Sequence, residues 1–181
     1  KIVDALSPGY DVIARFQGGP NAGHSLEFNN VKHVLHLIPS GIIHSHTIGI
    51  IGNGVVINPL TLLNEMDMLR QTGVPVTPER LYISYAAHVI TPAYIAEDRA
   101  KEQQRGDGKI GTTLRGIGPA YTHKASRTGL RMDAMLEGDG FAEAIFIQIE
   151  ETNHILSQIY PDQKIPILDA TTIANEYRQY A

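Results

Sequence analysis

Tyr10-Asp-Val-Ile-Ala-Arg-Phe-Gln17 is a short apolar run that leads directly into the glycine-rich segment Gly18-Gly-Pro-Asn-Ala-Gly23. The run has the composition of a β-strand, whereas the segment after it can continue neither a strand nor a helix. A glycine-rich loop that follows a strand can form a nest of backbone N–H groups for a phosphate. For this segment taken alone, the alternative is a glycine-rich turn with a surface histidine at His24.

Strand-like and helical patterns alternate along the rest of the chain. The predicted strands are Leu26–Phe28 and Val34–Leu37 around a tight turn at Asn29-Asn30, then Ile48–Ile51, Val55–Ile57 beyond Gly52-Asn53-Gly54, and Arg80–Ser84. The predicted helices run from Asn58 to Gly73, from Thr91 to Gly106, from Phe141 to the residue before Pro161, and from Asp169 onwards. This alternation predicts an α/β layered architecture with some antiparallel pairing.

Composition and length limit the classes of partner. The 181 residues carry a net charge of -4 and lack a basic patch, so we expect no nucleic-acid partner. No apolar run approaches the roughly 20 residues that span a bilayer, so we expect no membrane partner. Cysteine is absent, which excludes disulfide scaffolds and cysteine zinc sites. Both chain ends fall within predicted elements, so residues 1–181 are expected to be one incomplete domain, truncated at both ends.

A second glycine-rich stretch, Gly111-Thr-Thr-Leu-Arg-Gly-Ile-Gly-Pro-Ala-Tyr121, is followed by Lys124 and Arg127. Hydroxyl, guanidinium and backbone N–H groups together suit a phosphate or phosphoribosyl ligand. A surface loop with solvated charges is the alternative. The upstream match to G-x-G-x-x-G at Gly106–Gly111 follows a polar helix rather than a strand, which argues against a dinucleotide fingerprint.

The eight histidines raise a proton-transfer and a metal interpretation. His24 is the only side chain of the first glycine-rich segment that exchanges a proton near neutral pH. His33 and His36 lie three apart on a predicted strand and so point to opposite faces, while His44 and His46 lack a nearby third ligand. A histidine metal protein is therefore a weaker hypothesis, which predicts stoichiometric zinc. The remaining members of the set are His88, His123 and His154.

Four segments together resemble the adenylosuccinate synthetase family. They are Arg15–Ser25, His36–Ile42, Ile51–Val56 and Gly116–Arg127, the last of which matches the signature G-I-G-P-x-Y-x-x-K-x-x-R throughout. Their order and spacing make the resemblance specific, and it covers nearly the whole chain. It implies an α/β fold with a P-loop-NTPase-like layered sheet and flanking helices.

The resemblance also implies a reaction and its site. The family enzyme transfers the γ-phosphate of GTP to the 6-oxygen of IMP, and the amino group of L-aspartate then displaces that phosphate to give adenylosuccinate. By resemblance it is a cytoplasmic homodimer that uses Mg²⁺. For catalysis, the resemblance implies His24 as general acid, together with Lys124. The implied IMP site consists of Asn21, Ala22, Gly23, His24, Thr113 and, across the homodimer, Arg127. The implied GTP residues are Lys1, Gly23, His24 and Ser25, and the Gly23 carbonyl is the implied metal ligand.

The chain departs from the family pattern in several places. By resemblance, the G-D-E-G-K-G loop, which should supply the aspartate base and a magnesium ligand, is expected immediately before Lys1. The C-terminal part, which should recognise guanine and aspartate, is expected to lie outside residues 1–181. We therefore expect an N-terminal piece that is inactive alone, with a non-catalytic module for IMP or phosphate as the alternative. Leu114 stands where G-T-T-G-R-G has glycine, and its Cβ would oppose a positive φ. Ser25 replaces a threonine and keeps the hydroxyl.

Overall fold

The computed structural model describes residues 2–28, 31–161 and 165–181. It contains two compact units, Lys1–Ala87 (the first unit) and His88–Ala181 (the second unit). Parallel strands and helices in the first unit confirm the α/β fold class predicted from the alternating patterns. The expectation of one domain over residues 1–181 stays a prediction.

The first unit contains a parallel sheet and an antiparallel ribbon. Its elements are α1 (Ile2–Leu6), a 3₁₀ turn at Ser7–Gly9, β1 (Val12–Gly18), β2 (His24–Phe28), β3 (Val31–Leu35), a 3₁₀ turn at Ser40–Ile43, β4 (Ile48–Ile57), α2 (Pro59–Gln71) and β5 (Leu81–Ile83). β1, β4 and β5 pair in parallel in that order, and β2 pairs with β3 in antiparallel fashion. The ribbon therefore interrupts the chain between two neighbouring parallel strands, directly after the first glycine-rich segment.

β4 is continuous, so the prediction of two separate strands on either side of Gly52-Asn53-Gly54 is wrong. At this point the register against β1 shifts, and β4 takes one more residue than β1, as in a β-bulge. A Cβ on Gly54 would lie 2.1 Å from the carbonyl oxygen of Phe16. Gly54 is therefore needed because the backbones of β1 and β4 approach closely here, and not because the chain turns.

The ribbon confirms the two strands predicted around residues 29–30, whose turn lies outside the described residues. Its register pairs His24 with Leu35. β3 ends at Leu35, two residues before the predicted end at Leu37. The strand stops there because the next backbone N–H groups bind a carboxylate rather than a neighbouring strand.

That carboxylate belongs to Glu65 on α2, which is only 5% exposed. Its Oε1 accepts hydrogen bonds from the backbone N–H groups of His36 (2.6 Å) and Leu37 (3.2 Å). Its Oε2 accepts from those of Leu37 and Ile38, both at 3.0 Å. Three consecutive donors thus satisfy a buried charge, which would otherwise be costly. The contact fixes the segment after β3 to the helix.

α2 has the ends that the sequence predicts. The Oδ1 of Asn58 accepts from the backbone N–H of Thr61 at 2.9 Å, Pro59 occupies the first turn, and Gly73 follows the helix with a φ of +82°. Its buried apolar residues include Leu62 and Leu69. The cap and the apolar face therefore set the position at which Glu65 turns inward.

The second unit is largely helical. Its elements are β6 (His88–Val89), α3 (Pro92–Gln104), a 3₁₀ turn at Gly106–Gly108, α4 (Ile117–Ser126), a 3₁₀ helix at Met132–Glu137, α5 (Asp139–Ile159) and α6 (Ala170–Arg178). Phe141, Ile145 and Ile149 of α5 are fully buried, and the hydroxyl of Tyr177 donates to the carbonyl of Ile90 at 3.1 Å. The predicted helices at Thr91, Phe141 and Asp169 are confirmed. Within the described ranges, no helix has the length and apolar character needed to cross a bilayer.

α4 was not predicted, because its sequence begins with Gly116 and contains Gly118 and Pro119. Gly116 adopts a left-handed conformation with a φ of +72°, and a Cβ there would lie 3.0 Å from backbone atoms of α3. Pro119 lies in the first turn, where its missing N–H is no loss. Glycine and proline typically end a helix, but here they lie directly before α4 or in its first turn.

We expect Glu65→Ala to lower the free energy of unfolding by about 3 kcal/mol, since it leaves three backbone N–H groups without their acceptor. Asp67→Ala, on an exposed position of the same helix, is the matched control and should cost less than about 0.5 kcal/mol. Urea denaturation measures both changes. Equal losses in the two variants would show that the buried carboxylate carries no special stability.

Candidate functional site

The first glycine-rich segment is held at its start by Arg15. The Nη2 of Arg15 donates to the carbonyl of Gly19 at 2.8 Å, and its Nε donates to that of Gln17 at 3.4 Å. Gly18 between them has a φ of +92°, a conformation that favours glycine. Gly19 and Pro20 are buried, whereas residues 21–23 are exposed. These two hydrogen bonds, the Arg15 clamp, therefore direct the second half of the segment towards solvent.

Gly23 lies against the ribbon with no space for a side chain. A Cβ there would meet the Cγ1 of Val34 at 2.7 Å and the Nε2 of His36 at 3.1 Å. Both neighbours are on or directly after β3, and the backbone of His36 is bound by Glu65. The Glu65 contact thus determines how closely the loop and the ribbon approach each other.

His24 begins β2 and is half-buried. Among the described residues, its buried Nε2 has no hydrogen-bond partner. Burial lowers the pKa of the imidazole below its ordinary value of 6.5, and the positive charge of Arg15 lowers it further, against smaller opposing effects of Glu65 and the Ile38 backbone. The ring is therefore mainly neutral near pH 7, with one nitrogen available to a ligand.

Two cavities meet the His24 side chain. One of about 680 Å³ is lined by residues of α1, β1 and the glycine-rich segment, including Arg15, Phe16, Gln17, Ala22 and Gly23. Another of about 620 Å³ is lined by Asp4, Ser25, Leu26, Glu27 and Lys32. Both volumes are within the range of small-molecule sites. The predicted residues Ala22, Gly23, His24 and Ser25 thus line concave surfaces, and Asn21 is exposed beside them.

The second glycine-rich stretch is anchored by two carboxylates of α3. Glu102 Oε1 accepts from the backbone N–H of Gly111 (2.6 Å) and of Thr112 (3.4 Å), and the Gly111 hydrogen bond lowers the pKa of Glu102. Asp98 Oδ2 accepts from the backbone N–H of Gly116 at 3.1 Å. Both carboxylates are buried and lie one helical turn apart. Between these anchors, Thr113 is exposed.

Leu114 has a φ of +53°, in the left-handed region, and is 40% exposed. The left-handed conformation, which a Cβ opposes, is therefore present here with a leucine in place. A Cβ in the left-handed region costs about 1–2 kcal/mol. The anchors on either side of Leu114 hold the backbone in this conformation.

The other predicted residues of the second unit lie on and after α4. Lys124 is in its last turn and half-buried. Arg127 caps the helix with a φ of +63°, and its side chain is exposed. Lys1 lies outside the described residues. That residues 21–25 of the first unit and Thr113, Lys124 and Arg127 of the second unit serve one site stays a prediction.

The carboxylates that support the segment after β3 and the second glycine-rich stretch were not predicted from the sequence. Glu65, Asp98 and Glu102 lie on helices where a polar residue suggests a solvent-facing position.

As for metal sites, no group of three or more His, Cys, Asp or Glu side chains that could hold an ion occurs in the part of the chain that the structure describes. His44 and His46 have ring centroids 6.2 Å apart, and the Nε2 of His44 lies 3.4 Å from Asp4.

The family model for adenylosuccinate synthetase matches residues 1–181. The chain belongs to the adenylosuccinate synthetase family. It is 46% identical over 180 residues to the adenylosuccinate synthetase of Syntrophobacter fumaroxidans and 44% identical over 181 residues to that of Clostridium perfringens. These alignments cover 99% and 100% of this chain and 41% of each relative. The chain therefore spans about two fifths of the length of the curated relatives it matches.

Solved structures of synthetases share the fold. A fully ligated adenylosuccinate synthetase from Plasmodium falciparum superposes with a TM-score of 0.83 at 34% identity, over 99% of this chain and 40% of that one. A cyanophage S-2L succinoaminodeoxyadenylate synthetase, bound to dGMP and to dATP as an energy donor, gives a TM-score of 0.55 at 25% identity, over 75% and 37%. The predicted α/β family fold is thus confirmed.

We expect Leu114→Gly to stabilise this family member by about 0.5–1 kcal/mol, because the relief of left-handed strain exceeds the entropy that glycine adds to the unfolded chain. Leu136→Gly, at an exposed leucine without a positive φ, is the control and should destabilise. Denaturant unfolding measures both. A destabilised Leu114→Gly would contradict the strain.

The His24 ring should titrate with a midpoint below 6.5, followed by the chemical shift of its ring protons in NMR spectra. Because the folded-state pKa lies below the unfolded-state value, this group contributes stability above pH 6.5 that is lost as the pH falls through the folded-state pKa. His24→Asn identifies the resonance by its disappearance. A midpoint at or above 6.5 would refute the effect of burial.

Proposed function

We propose that the protein to which this chain belongs joins IMP to L-aspartate with GTP, as a cytoplasmic homodimer, and releases adenylosuccinate, GDP and phosphate. The observation that carries the proposal is His24. It is half-buried at the end of a glycine-rich segment, lines two cavities, and has an Nε2 without a partner among the described residues. Membership of the family supports the choice of substrates.

The reaction needs a group that supports the charge that develops as the 6-oxygen of IMP is phosphorylated. In the first step the 6-oxygen of IMP bonds to the γ-phosphorus of GTP, and the bond to the β,γ-bridging oxygen breaks. In the second step the amino nitrogen of aspartate bonds to carbon 6, and phosphate leaves with its oxygen. We assign His24 as the general acid that donates a hydrogen bond or proton where negative charge develops.

The lowered pKa of His24 fits this role only when an anionic ligand is present. Alone, the ring is mainly neutral because of its burial and of Arg15. A triphosphate placed beside it adds negative charge, which raises the pKa of an imidazole. Protonation would then accompany substrate binding, so that the acid forms when the reactants are in place.

The backbone of the first segment suits phosphates and purines. Asn21, Ala22 and Gly23 are exposed next to His24, and we assign them to IMP, with Gly23, His24 and Ser25 also approaching GTP. Thr113, exposed in the second unit, is assigned to the IMP phosphate. Arg127, also exposed there, is assigned to the IMP site across the homodimer. The remaining assignments are Lys1 to GTP and Lys124 to catalysis.

Mg²⁺ is the cofactor we propose, and the chemistry of Gly23 fits it in part. The ion prefers oxygen ligands and often combines protein oxygens with substrate phosphates. Gly23 is exposed, and the space that a Cβ would fill is occupied by Val34 and His36, so its backbone comes close to the ribbon. Its carbonyl would hold the ion, whose charge would neutralise the phosphates. The chain's own residues orient the nucleotides around it.

Adenylosuccinate formation by the purified full-length protein tests the function. It should require IMP, GTP and aspartate together and be detected by mass spectrometry. His24→Asn should lower kcat about 100-fold or more and change the KM for IMP by less than about threefold, since the acid acts in the transition state. His154→Asn, an exposed histidine of α5, is the matched control and should leave both unchanged.

Two results would contradict the proposal in different ways. Loss of IMP affinity with unchanged kcat in His24→Asn would remove the acid role but keep the ligase. Binding of IMP by the wild-type full-length protein without any product would favour a non-catalytic module that binds IMP or phosphate.

A further inference from the structure

His123, in the last turn of α4, has both ring nitrogens and one ring face in contact with other residues. Its ring stacks on that of Tyr94, with centroids 4.6 Å apart and planes at 27°. Its Nε2 lies 3.0 Å from the Oε1 of Glu97, and its Nδ1 lies 2.8 Å from the Oγ1 of Thr128. A carboxylate only accepts, so Nε2–H donates to Glu97, and Nδ1 shares a hydrogen bond with the Thr128 hydroxyl. Nothing in the proposed reaction uses these contacts.

The ring is fixed from the α3 side by further interactions. Glu97 also binds the Nζ of Lys101 through Oε2 at 3.0 Å, and its side chain is only 17% exposed. The hydroxyl of Tyr94 accepts from the Nε2 of Gln148 at 2.9 Å, and burial raises the pKa of Tyr94 to about 12. The stack and the carboxylate are thus themselves held in place and define one orientation of the imidazole.

The chain after α4 wraps around His123. The carbonyl of His123 accepts from the backbone N–H groups of Thr128 (3.0 Å) and Gly129 (3.1 Å) and from the hydroxyl of Ser126 (3.2 Å). Arg127 lies at the top of this turn with a φ of +63°. The ring contact to Thr128 and the carbonyl contacts close the turn on both sides of Arg127, which favours its left-handed backbone.

We propose that His123 is a positioning residue for Arg127: it fixes the turn at residues 126–129 and so sets the direction in which the exposed guanidinium leaves α4. The inference rests on the proposed function, in which Arg127 binds IMP across the homodimer. A left-handed backbone is unfavourable at a residue with a Cβ, so the turn needs contacts of this kind to persist. His123 itself does not touch the nucleotide.

The test uses the full-length protein with His123→Phe, which keeps a ring on Tyr94 and removes both nitrogens, and Thr128→Val, which removes only the hydroxyl. Each should raise the KM for IMP by about tenfold and change kcat by less than about twofold. Arg127→Ala should raise the KM at least as much. The double variant His123→Phe/Arg127→Ala should be no worse than Arg127→Ala, since both changes act on one contact. His154→Phe is the control.

Independent effects that multiply in the double variant would overturn the inference, as would a lowered melting temperature with an unchanged KM. A second readout does not depend on catalysis. Amide hydrogen exchange of residues 126–129 should quicken in His123→Phe while that of α5 stays the same. If the wild-type protein makes no adenylosuccinate, the proposed function fails, yet this exchange result still decides whether His123 fixes the turn. Unchanged exchange would refute it.

Discussion

The hydrogen bonds between Glu65 and three consecutive backbone N–H groups are the constraint on which the first unit depends. They end β3 at Leu35 and place His36 against Gly23, where a side chain would not fit. Because β3 pairs with β2, the same contact fixes the strand that begins with His24. A carboxylate on a helix thereby determines the width of the gap between the glycine-rich loop and the ribbon.

In the second unit, buried carboxylates likewise accept hydrogen bonds from backbone N–H groups, here those of the second glycine-rich stretch. Asp98 and Glu102 project from successive turns of α3 and bind the N–H groups of Gly111, Thr112 and Gly116. These donors are already satisfied, so an incoming phosphate gains little by binding them, whereas the hydroxyl of Thr113 between the anchors is exposed. Asp98 and Glu102 therefore hold the second stretch in shape and leave anion binding there to neighbouring groups. The left-handed Leu114 shows that these anchors outweigh local backbone preference.

Most strands and helices could be predicted from the sequence, because apolar spacing and end signals such as Asn58 and Pro59 reflect local physics. The continuity of β4 and the helix α4 could not, since Gly54 and Gly116 are required by tertiary contacts with Phe16 and α3. The order of the motifs also identified the family and the candidate residues around His24. The buried positions of the supporting carboxylates could not be predicted, because an acidic residue on a helix is expected to face solvent until its backbone N–H partners are known.

The electrostatics of His24 follow from this scaffold. The Arg15 clamp that shapes the loop also places a positive charge near the imidazole, and burial adds to its effect on the pKa. The negative charge of Glu65 raises the pKa of His24, but its carboxylate oxygens accept hydrogen bonds from backbone N–H groups. Among the described residues the Nε2 of His24 has no hydrogen-bond partner, and its lowered pKa leaves the ring mainly neutral near pH 7. Burial and Arg15 thus hold the pKa of His24 below its ordinary value, and in the function we propose an anionic ligand would raise it again, so that proton uptake would accompany ligand binding.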